Sequence, residues 1–477
     1  IKLIQKIAQQ KVIQKLMLYQ EEILNIFQGK KIIILGFGRE GASTYRFLRK
    51  YLPQQPFTVA DKNENLTLPD QRKPKLVKLI LGEKYNQNLN DYDLIIKSPG
   101  VSIEHLNYYV DSNKISSQAQ IFMQFFGAQT IGVTGTKGKS TTSSLIYHIL
   151  RESQKDVVFA GNIGIPFFDV MDQITTESTV VVELSAHQLQ FMTYSPHIAV
   201  LLNLFPEHLD YFNSFSSYQN AKINIVNFQN EQDYFIFNND DEQTLKILKN
   251  HDYKRLYLSF SRKHIIKTGL YTIENKIIMN NDGEPIEEYD FSIFENLPGR
   301  HNFNNYMAAI LACRTINISE EEIKKAVSSF KGLEHRIEFV GTVNGIHFFN
   351  DSISTIPEAA IAAMEAVNRV KTLIIGGFER NLNYQKLYNF LKESEVKNIV
   401  FTGPVGRRML SEIDTNYLQT INYIIEDDFA KIVDFAFAHT PKGYTCLLSP
   451  AAASYDQFKN FEERGNIYKQ LILNHQS

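Results

Sequence analysis

The chain has 477 residues, 43% of them hydrophobic and 21% charged, with a mean hydropathy of −0.24. That composition excludes a disordered or collagen-like chain, and at roughly 150 residues per domain the length predicts about three domains. Fifty Lys and Arg against 52 Asp and Glu leave a net charge of −2, without the basic surplus of a nucleic-acid binder, and no nucleic-acid partner is expected. Two cysteines, Cys313 and Cys446, make neither a disulfide framework nor a zinc pattern and point to a reducing compartment.

The first 26 residues carry Lys, Gln and Glu throughout, with apolar Ile4, Ile7, Ala8, Leu16, Leu18, Ile23 and Ile26 at roughly helical spacing. They predict an imperfect amphipathic helix, not a signal peptide, docked on the first domain or, in the alternative, lying on a membrane surface or forming an oligomer contact. No stretch reaches the ~18 to 20 apolar residues of a membrane helix.

From Lys30 onward, short β-branched runs alternate with helical stretches: KKIIILGFG, FTVAD, DLIIKSPG, TIGVTG, TVVVELS, IAVLLNL, YFIFNND, TLIIGGF, NIVFTG and YTCLLSP. Continuous apolar strands of this kind are buried on both faces, which predicts parallel sheets covered by helices and an α/β fold. Breaks near Phe126 and Gly332 predict domains over residues 27–126, 127–331 and 332–477. The polar stretch from Lys263 to Asn296 predicts an antiparallel hairpin appended to the central domain, turning at Asn281-Asp282-Gly283.

Two glycine loops carry the chemistry. In KKIIILGFGREGAS, Gly36, Gly38 and Gly41 follow a strand and open a helix with G-x-G-x-x-G spacing, and Asp61 ends the next strand. Such a loop lets a pyrophosphate approach the helix N–H groups while the acid takes a ribose hydroxyl. A nicotinamide dinucleotide and a UDP-sugar both satisfy it. In TIGVTGTKGKSTTSSLIYHIL, Gly135, Thr136, Lys137, Gly138, Lys139, Ser140 and Thr141 form a phosphate loop. Backbone N–H groups would cradle phosphate oxygens, Lys139 would reach the β/γ phosphates, and Ser140 would ligate magnesium. Val133 stands where the strict pattern has its first glycine. Glu183, ending TVVVE, and the Glu207-His208-Leu209-Asp210 loop after the next strand supply hard or borderline metal donors in the same sheet.

With GVTGTKGKSTT, GNIG, ELSAHQL, NLFPEHLDYF, LPGRHNFNN, HRIEFVG, NDSISTIPEA and LLSPAAASYDQFKNFEERG in this order, the chain resembles the Mur ligases, nearest to their glutamate-adding branch. The resemblance implies an amino-terminal Rossmann-like domain for the UDP-substrate, a central ATPase domain and a carboxyl-terminal Rossmann-like domain for the incoming amino acid. It implies a cytoplasmic monomer that adds glutamate to UDP-N-acetylmuramoyl-L-alanine, with ATP and Mg2+, in peptidoglycan synthesis. The matching positions would bind the UDP-substrate through the first glycine loop with Arg39 and Glu40, through Asp61, through Ser98, Pro99 and Gly100, and through Asn162. Magnesium would sit on Ser140, Glu183, His208 and Lys222, the last as a carbamate, and Lys139, His208 and Lys222 would be catalytic. ATP would also meet Asn302, Asn305, Arg336 and Asp351, and the amino acid would meet Thr355, Arg380, Ser454, Tyr455 and Phe461.

Two departures stand out. Ile353 occupies the place of a pocket lysine, and Gly376-Gly377-Phe378-Glu379-Arg380 puts an arginine where a lysine is expected. Arginine can hold a carboxylate through two parallel hydrogen bonds, so a glutamate pocket with altered geometry is expected. The residues leave D- and L-glutamate open. They also leave open a folylpolyglutamate-type or alanine-adding relative, a non-catalytic nucleotide-binding protein and, from the first loop alone, an NAD-dependent dehydrogenase.

Overall fold

A computed structural model describes residues 21–69, 76–102, 110–162, 165–249, 255–294 and 302–475. Most of the expected amino-terminal helix lies outside these residues. Residues 21–27 are helical, with Ile23 and Phe27 buried.

The first sheet contains β1 (Ile32–Leu35), β2 (Phe57–Asp61), β3 (Val77–Leu81), β4 (Leu94–Lys97) and β5 (Ile115–Ser116), all parallel, in the order β3-β2-β1-β4-β5. Every residue of β1 is buried. Ile32 and Ile34 enter one apolar cluster while Ile33 and Leu35 enter another, because successive side chains point to opposite faces.

The second sheet has nine strands: β6 (Thr130–Thr134), β7 (Val157–Gly161), β8 (Thr179–Glu183), β9 (Ile198–Leu201), β10 (Tyr234–Asn238), β11 (Leu256–Ser261), β12 (Gly269–Ile273), β13 (Lys276–Asn281) and β14 (Glu284–Asp290). Their order is β14-β13-β12-β11-β10-β9-β6-β8-β7. The expected hairpin is an antiparallel three-strand meander, β12 to β14, and it continues the same sheet because β12 pairs in parallel with β11.

The third sheet combines β15 (Glu338–Val343), β16 (Ile346–Asn350), β17 (Val370–Gly376), β18 (Asn398–Thr402), β19 (Asn422–Ile425) and β20 (Thr445–Leu448), ordered β15-β16-β20-β17-β18-β19. Only the β15–β16 pair is antiparallel.

These sheets fall into two compact units. One holds the first two sheets, residues 1–293 and 301–328; the other, residues 294–300 and 329–477, holds the third. In the first unit a single apolar cluster runs from Ile23 and Phe27 through Phe122 to Phe167 and Phe168 and on to β8 and β9. The Phe47 and Phe168 rings lie 4.6 Å apart and those of Phe122 and Phe167 4.9 Å apart, so aromatic packing joins the two sheets. Among the described residues no helix is long and apolar enough to cross a membrane.

Candidate functional site

The phosphate loop connects β6 to the helix Lys139–Glu152. Val133, the variant position, is a buried residue within β6, so the loop's first flexible residue is Gly135. Gly138 requires its glycine: its φ is +88°, and a Cβ there would lie 2.4 Å from Asn305 Oδ1. The loop is pinned from the strand-end loop after β9. Lys137 N donates to Asn203 Oδ1 at 2.8 Å, and Asn203 Nδ2 returns a bond to Lys137 O at 3.0 Å. Thr136 Oγ1 donates to Phe205 O at 3.2 Å and accepts from Phe205 N at 2.9 Å and from the Tyr218 hydroxyl at 3.1 Å. Lys139 Nζ folds back onto Gly135 O and Thr136 O, both at 2.9 Å. Asn305 sits on the loop itself, taking a bond from Thr142 Oγ1 and giving one to Asn302 Oδ1. The two asparagines, a helical turn apart on Asn302–Thr315, therefore belong to this site.

The β6–β8 register sets Glu183 opposite Val133, at the same sheet end as the loop. Glu183 is 1% exposed. Its Oε1 accepts from Asn162 Nδ2 at 2.6 Å, while Oε2 is buried with no hydrogen-bond partner. A buried carboxylate oxygen without a donor is costly, and a cation satisfies it. Lys222, on the helix Phe215–Asn227, is equally buried. Its Nζ donates to Gly135 O at 2.8 Å and lies 4.9 Å from the centre of the Tyr218 ring. Burial, and then the charge of Lys139, push the Lys222 ammonium well below its usual range. A neutral amine is the form that adds CO2. No group of three or more His, Cys, Asp or Glu able to hold a metal occurs among the described residues.

His208 is exposed and holds a left-handed φ of +56°, a region that histidine enters more readily than most residues. His187 packs edge-on at 5.0 Å from the His208 ring and at 4.3 Å from Tyr211. Burial and the neighbouring His208 pull His187 down to about 4, so it is neutral at ordinary pH. Burial alone would raise Glu207, but Lys137, 2.7 Å away, leaves it lowered.

The first glycine loop opens a cleft of about 340 Å³, lined by Gly36, Gly38, Arg39, Glu40, Asp61, Ser98, Pro99, Gly100 and Asn162 among others. Sequence reasoning placed all nine at a UDP-substrate, and the fold brings them together. Gly41 admits no side chain, since a Cβ would meet Gly36 O at 2.1 Å. Ser98 Oγ donates to Gly36 O at 2.7 Å, and Phe37 N donates to Asp61 Oδ2 at 2.6 Å, which leaves Asp61 facing the loop. Burial raises the Glu40 carboxyl to about 7, against the lowering effect of its bond from Gln188 and of the Lys97 and Arg39 charges.

In the second unit, the loop after β16, the Gly376–Arg380 loop and the loop after β20 converge. Arg464, 2% exposed, clamps them: Nε donates to Ser352 Oγ at 3.0 Å, Nη2 to Ser352 O at 2.8 Å and Ala452 O at 3.2 Å, and Nη1 to Ala453 O at 3.3 Å. Ser352 Oγ in turn donates to Phe461 O at 2.8 Å. Arg380 Nη2 reaches Thr355 O at 3.2 Å. Glu379 points to Arg408, which holds it at 2.7 Å. Ser454 is buried, and Tyr455 packs edge-on against Phe378 at 6.0 Å. Asp351 accepts from Ser449 Oγ at 2.7 Å and from Ile337 N at 3.2 Å; burial raises its carboxyl to about 6, and Arg336 pulls it down. Thr355, Arg380, Ser454, Tyr455 and Phe461 are thus assembled around the Arg464 clamp.

Sequence reasoning missed Asn203, Tyr218, His187 and Arg464. The first three lie in or beside motifs that were legible, but nothing local says that Asn203 holds the phosphate loop or that Tyr218 floors Lys222. Arg464 acts across 112 residues of sequence.

The model of the Mur ligase middle domain matches residues 133–313, and that of the Mur ligase MurD-like N-terminal domain matches residues 30–112. The chain is 33% identical over 467 residues to the UDP-N-acetylmuramoylalanine–D-glutamate ligase of Ruminiclostridium cellulolyticum, covering 95% of this chain and 98% of that one. It is also 33% identical to the enzyme of the same name from Ligilactobacillus salivarius, covering 94% and 98%. In fold it resembles UDP-N-acetylmuramate–alanine ligase MurC from Thermotoga maritima, with a TM-score of 0.57, 17% identity and coverage of 93% and 99%. MurF ligase from the same organism, solved in complex with ADP, gives 0.52 at 17% identity, covering 93% and 95%.

Proposed function

The chain belongs to the Mur ligase family, and from that premise we propose that it joins D-glutamate to UDP-N-acetylmuramoyl-L-alanine in peptidoglycan synthesis, with hydrolysis of ATP to ADP. The observation that carries this reading is identity of about one third, over nearly the whole chain, to several D-glutamate-adding ligases. The assembled phosphate loop and UDP cleft support it. Retention of Lys139, Ser140, Glu183, His208 and Lys222 together argues against a non-catalytic nucleotide binder.

The chemistry follows from the acceptor. A carboxylate is a poor electrophile. Its oxygen attacks the γ-phosphorus of ATP, ADP leaves, and an acyl phosphate forms. The glutamate amine adds to the acyl carbon, loses a proton, and the tetrahedral intermediate expels phosphate to leave an amide. Lys139 would release Gly135 O and Thr136 O to bind the transferring phosphoryl group, and the loop N–H groups would hold the oxygens around it. Ser140, Glu183, His208 and carbamylated Lys222 would hold Mg2+, which supplies charge neutralisation for the phosphates. Carbamylation would form an N–C bond between neutral Lys222 and CO2 with loss of one proton, turning a neutral amine into an anion beside Glu183.

Asn162, bonded to Glu183, would orient the muramoyl end of the substrate near the metal, and Asn302 and Asn305 would border the nucleotide, with Arg336 and Asp351 contributing from residues 332–477. Thr355, Arg380, Ser454, Tyr455 and Phe461 would take D-glutamate, Arg380 binding a carboxylate in place of the lysine that Ile353 and the arginine displace. We assign residues 27–126 to the UDP-substrate, 127–331 to ATP and 332–477 to the amino acid. The protein works as a monomer in the cytoplasm, where ATP and nucleotide sugars are held.

Phosphate release with UDP-N-acetylmuramoyl-L-alanine, ATP and magnesium tests the proposal, comparing D-glutamate, L-glutamate, aspartate and lysine. Release dependent on D-glutamate is expected. Release with L-glutamate in its place would overturn the isomer, and no amino-acid-dependent release would overturn the function.

A further inference from the structure

Lys97 is a buried lysine that the proposed chemistry does not use. It ends β4, is 3% exposed, and directs its ammonium away from solvent onto Ser98 O and Pro99 O, both at 3.3 Å. The faces of Phe191 and Tyr211 complete its surroundings at 5.8 and 5.7 Å. Burial pulls the group down to about 8, and the Glu40 carboxylate pulls it back up. A methionine would fill the same volume without the cost of desolvating a charge, so a site serving packing alone has no need of an ammonium.

What surrounds Lys97 comes from two places. Ser98 and Pro99 line the nucleotide-sugar cleft. Tyr211 lies three residues beyond His208, and its hydroxyl shares its one proton between Val101 O and Gln190 Oε1, both at 3.0 Å. A third link runs alongside: Gln188 Nε2 donates to Glu40 Oε1 at 2.7 Å, from a short helix whose first turn is fixed by a Ser185–Gln188 capping box. Beside Lys97 lies a small cavity of about 10 Å³ bounded by Ser116, Ser117, His187 and Gln188.

We propose that Lys97 is a positioning residue for the muramoyl substrate, tying the Ser98–Gly100 loop of the nucleotide-sugar cleft to the Glu207–Tyr211 loop. This rests on the functional reading above. The UDP end of the substrate occupies the first loop, and its alanyl carboxylate must reach the chemistry beside the second. Lys97 sets the spacing between them by holding the backbone of one loop and the aromatic face of the other. The phosphate loop meets the Glu207–Tyr211 loop at its other end, where Lys137 lies 2.7 Å from Glu207.

Lys97→Met and Lys97→Arg test it by steady-state phosphate release and thermal melting. The methionine variant is expected to raise KM for UDP-N-acetylmuramoyl-L-alanine about tenfold, the scale of one charge-assisted hydrogen bond, with KM for ATP within about twofold of the parent. The arginine variant is expected to recover part of the loss. An unchanged KM for the muramoyl substrate, or an equal rise for ATP, would overturn the proposal. Tyr211→Phe keeps the ring and removes the two hydrogen bonds. It is expected to give the same split with smaller amplitude, and it decides the matter if Lys97→Met does not fold, an absent split then being the contrary result. The unmodified protein assayed in parallel separates the two readings: if it does not turn over, the function falls; if it does and the variants match it, only the role of Lys97 falls.

Discussion

Around the phosphate loop the side chains that would meet ATP already have protein partners, whereas the candidate amino-acid site around Arg380 runs from buried Ser454 to an exposed rim at Tyr455 and Phe378. Thr136, Lys137, Lys139 and Lys222 are each bonded to loop or strand-end atoms at 2.7 to 3.2 Å. Tyr455 and Phe378 are 65% and 40% exposed, and Arg380 reaches the Thr355 carbonyl. The first site is held by its own sheet, and Lys139 would exchange its carbonyl partners for phosphate oxygens on nucleotide binding. The second has a buried base, the Arg464 clamp, beneath an exposed rim that a bound amino acid would cover. A loop held in advance contributes to transition-state stabilisation; an open rim contributes to selection of the substrate.

The sharpest way to break this contrast is Lys139→Ala. We expect a loss of about 10³-fold or more in kcat with the melting temperature preserved, because we assign the lysine to the phosphoryl group while here it bonds to two carbonyls. Substantial residual ADP formation would contradict it. Lys222→Ala comes next. Removing the carbamate we propose at Lys222 should lower turnover about 10²-fold, with partial recovery on adding formate or acetate at high concentration, read by the same assay. Recovery by chloride to the same extent would show that no carboxylate is being replaced.

Arg464→Met examines the base of the second site. It strips the guanidinium from four buried oxygen acceptors, and a stability loss of about 3 kcal/mol is expected by urea denaturation. A loss below about 1 kcal/mol would mean that water or neighbouring residues replace the clamp. Arg380→Lys, at the rim, should have the smallest effect: KM for D-glutamate up about tenfold with KM for ATP unchanged, since a point charge replaces a planar fork. Equal KM values for parent and variant would remove Arg380 from the amino-acid site.

The same contrast governs what could be read from the sequence. β1, β4, β6, β8, β9, β17, β18 and β20 were legible because each is buried on both faces and reads as an unbroken apolar run. β3 and β19 were not. They lie at sheet edges, β3 exposes Lys78 and Leu79, and β19 exposes Tyr423 and Ile425, so no such run marks them. The meander β12 to β14 was half legible: its turn residues showed, but its parallel join to β11 rests on long-range pairing that no local pattern encodes. Within the sites, residues in a fixed-spacing loop, from Gly36 to Gly41 and from Gly135 to Ser140, could be named because the spacing is itself the mechanism. Residues that hold those loops from elsewhere, Asn203, Tyr218, Lys97 and Arg464, carry no spacing signal and became visible only when the strands brought them together.

The most direct measurement follows oxygen. With the alanyl carboxylate of UDP-N-acetylmuramoyl-L-alanine labelled with ¹⁸O and D-glutamate present, the mechanism predicts one labelled oxygen in each phosphate released, because the attacking carboxylate oxygen leaves with phosphorus. Phosphate free of label, alongside amide product formed at the same rate, would contradict an acyl phosphate at this site.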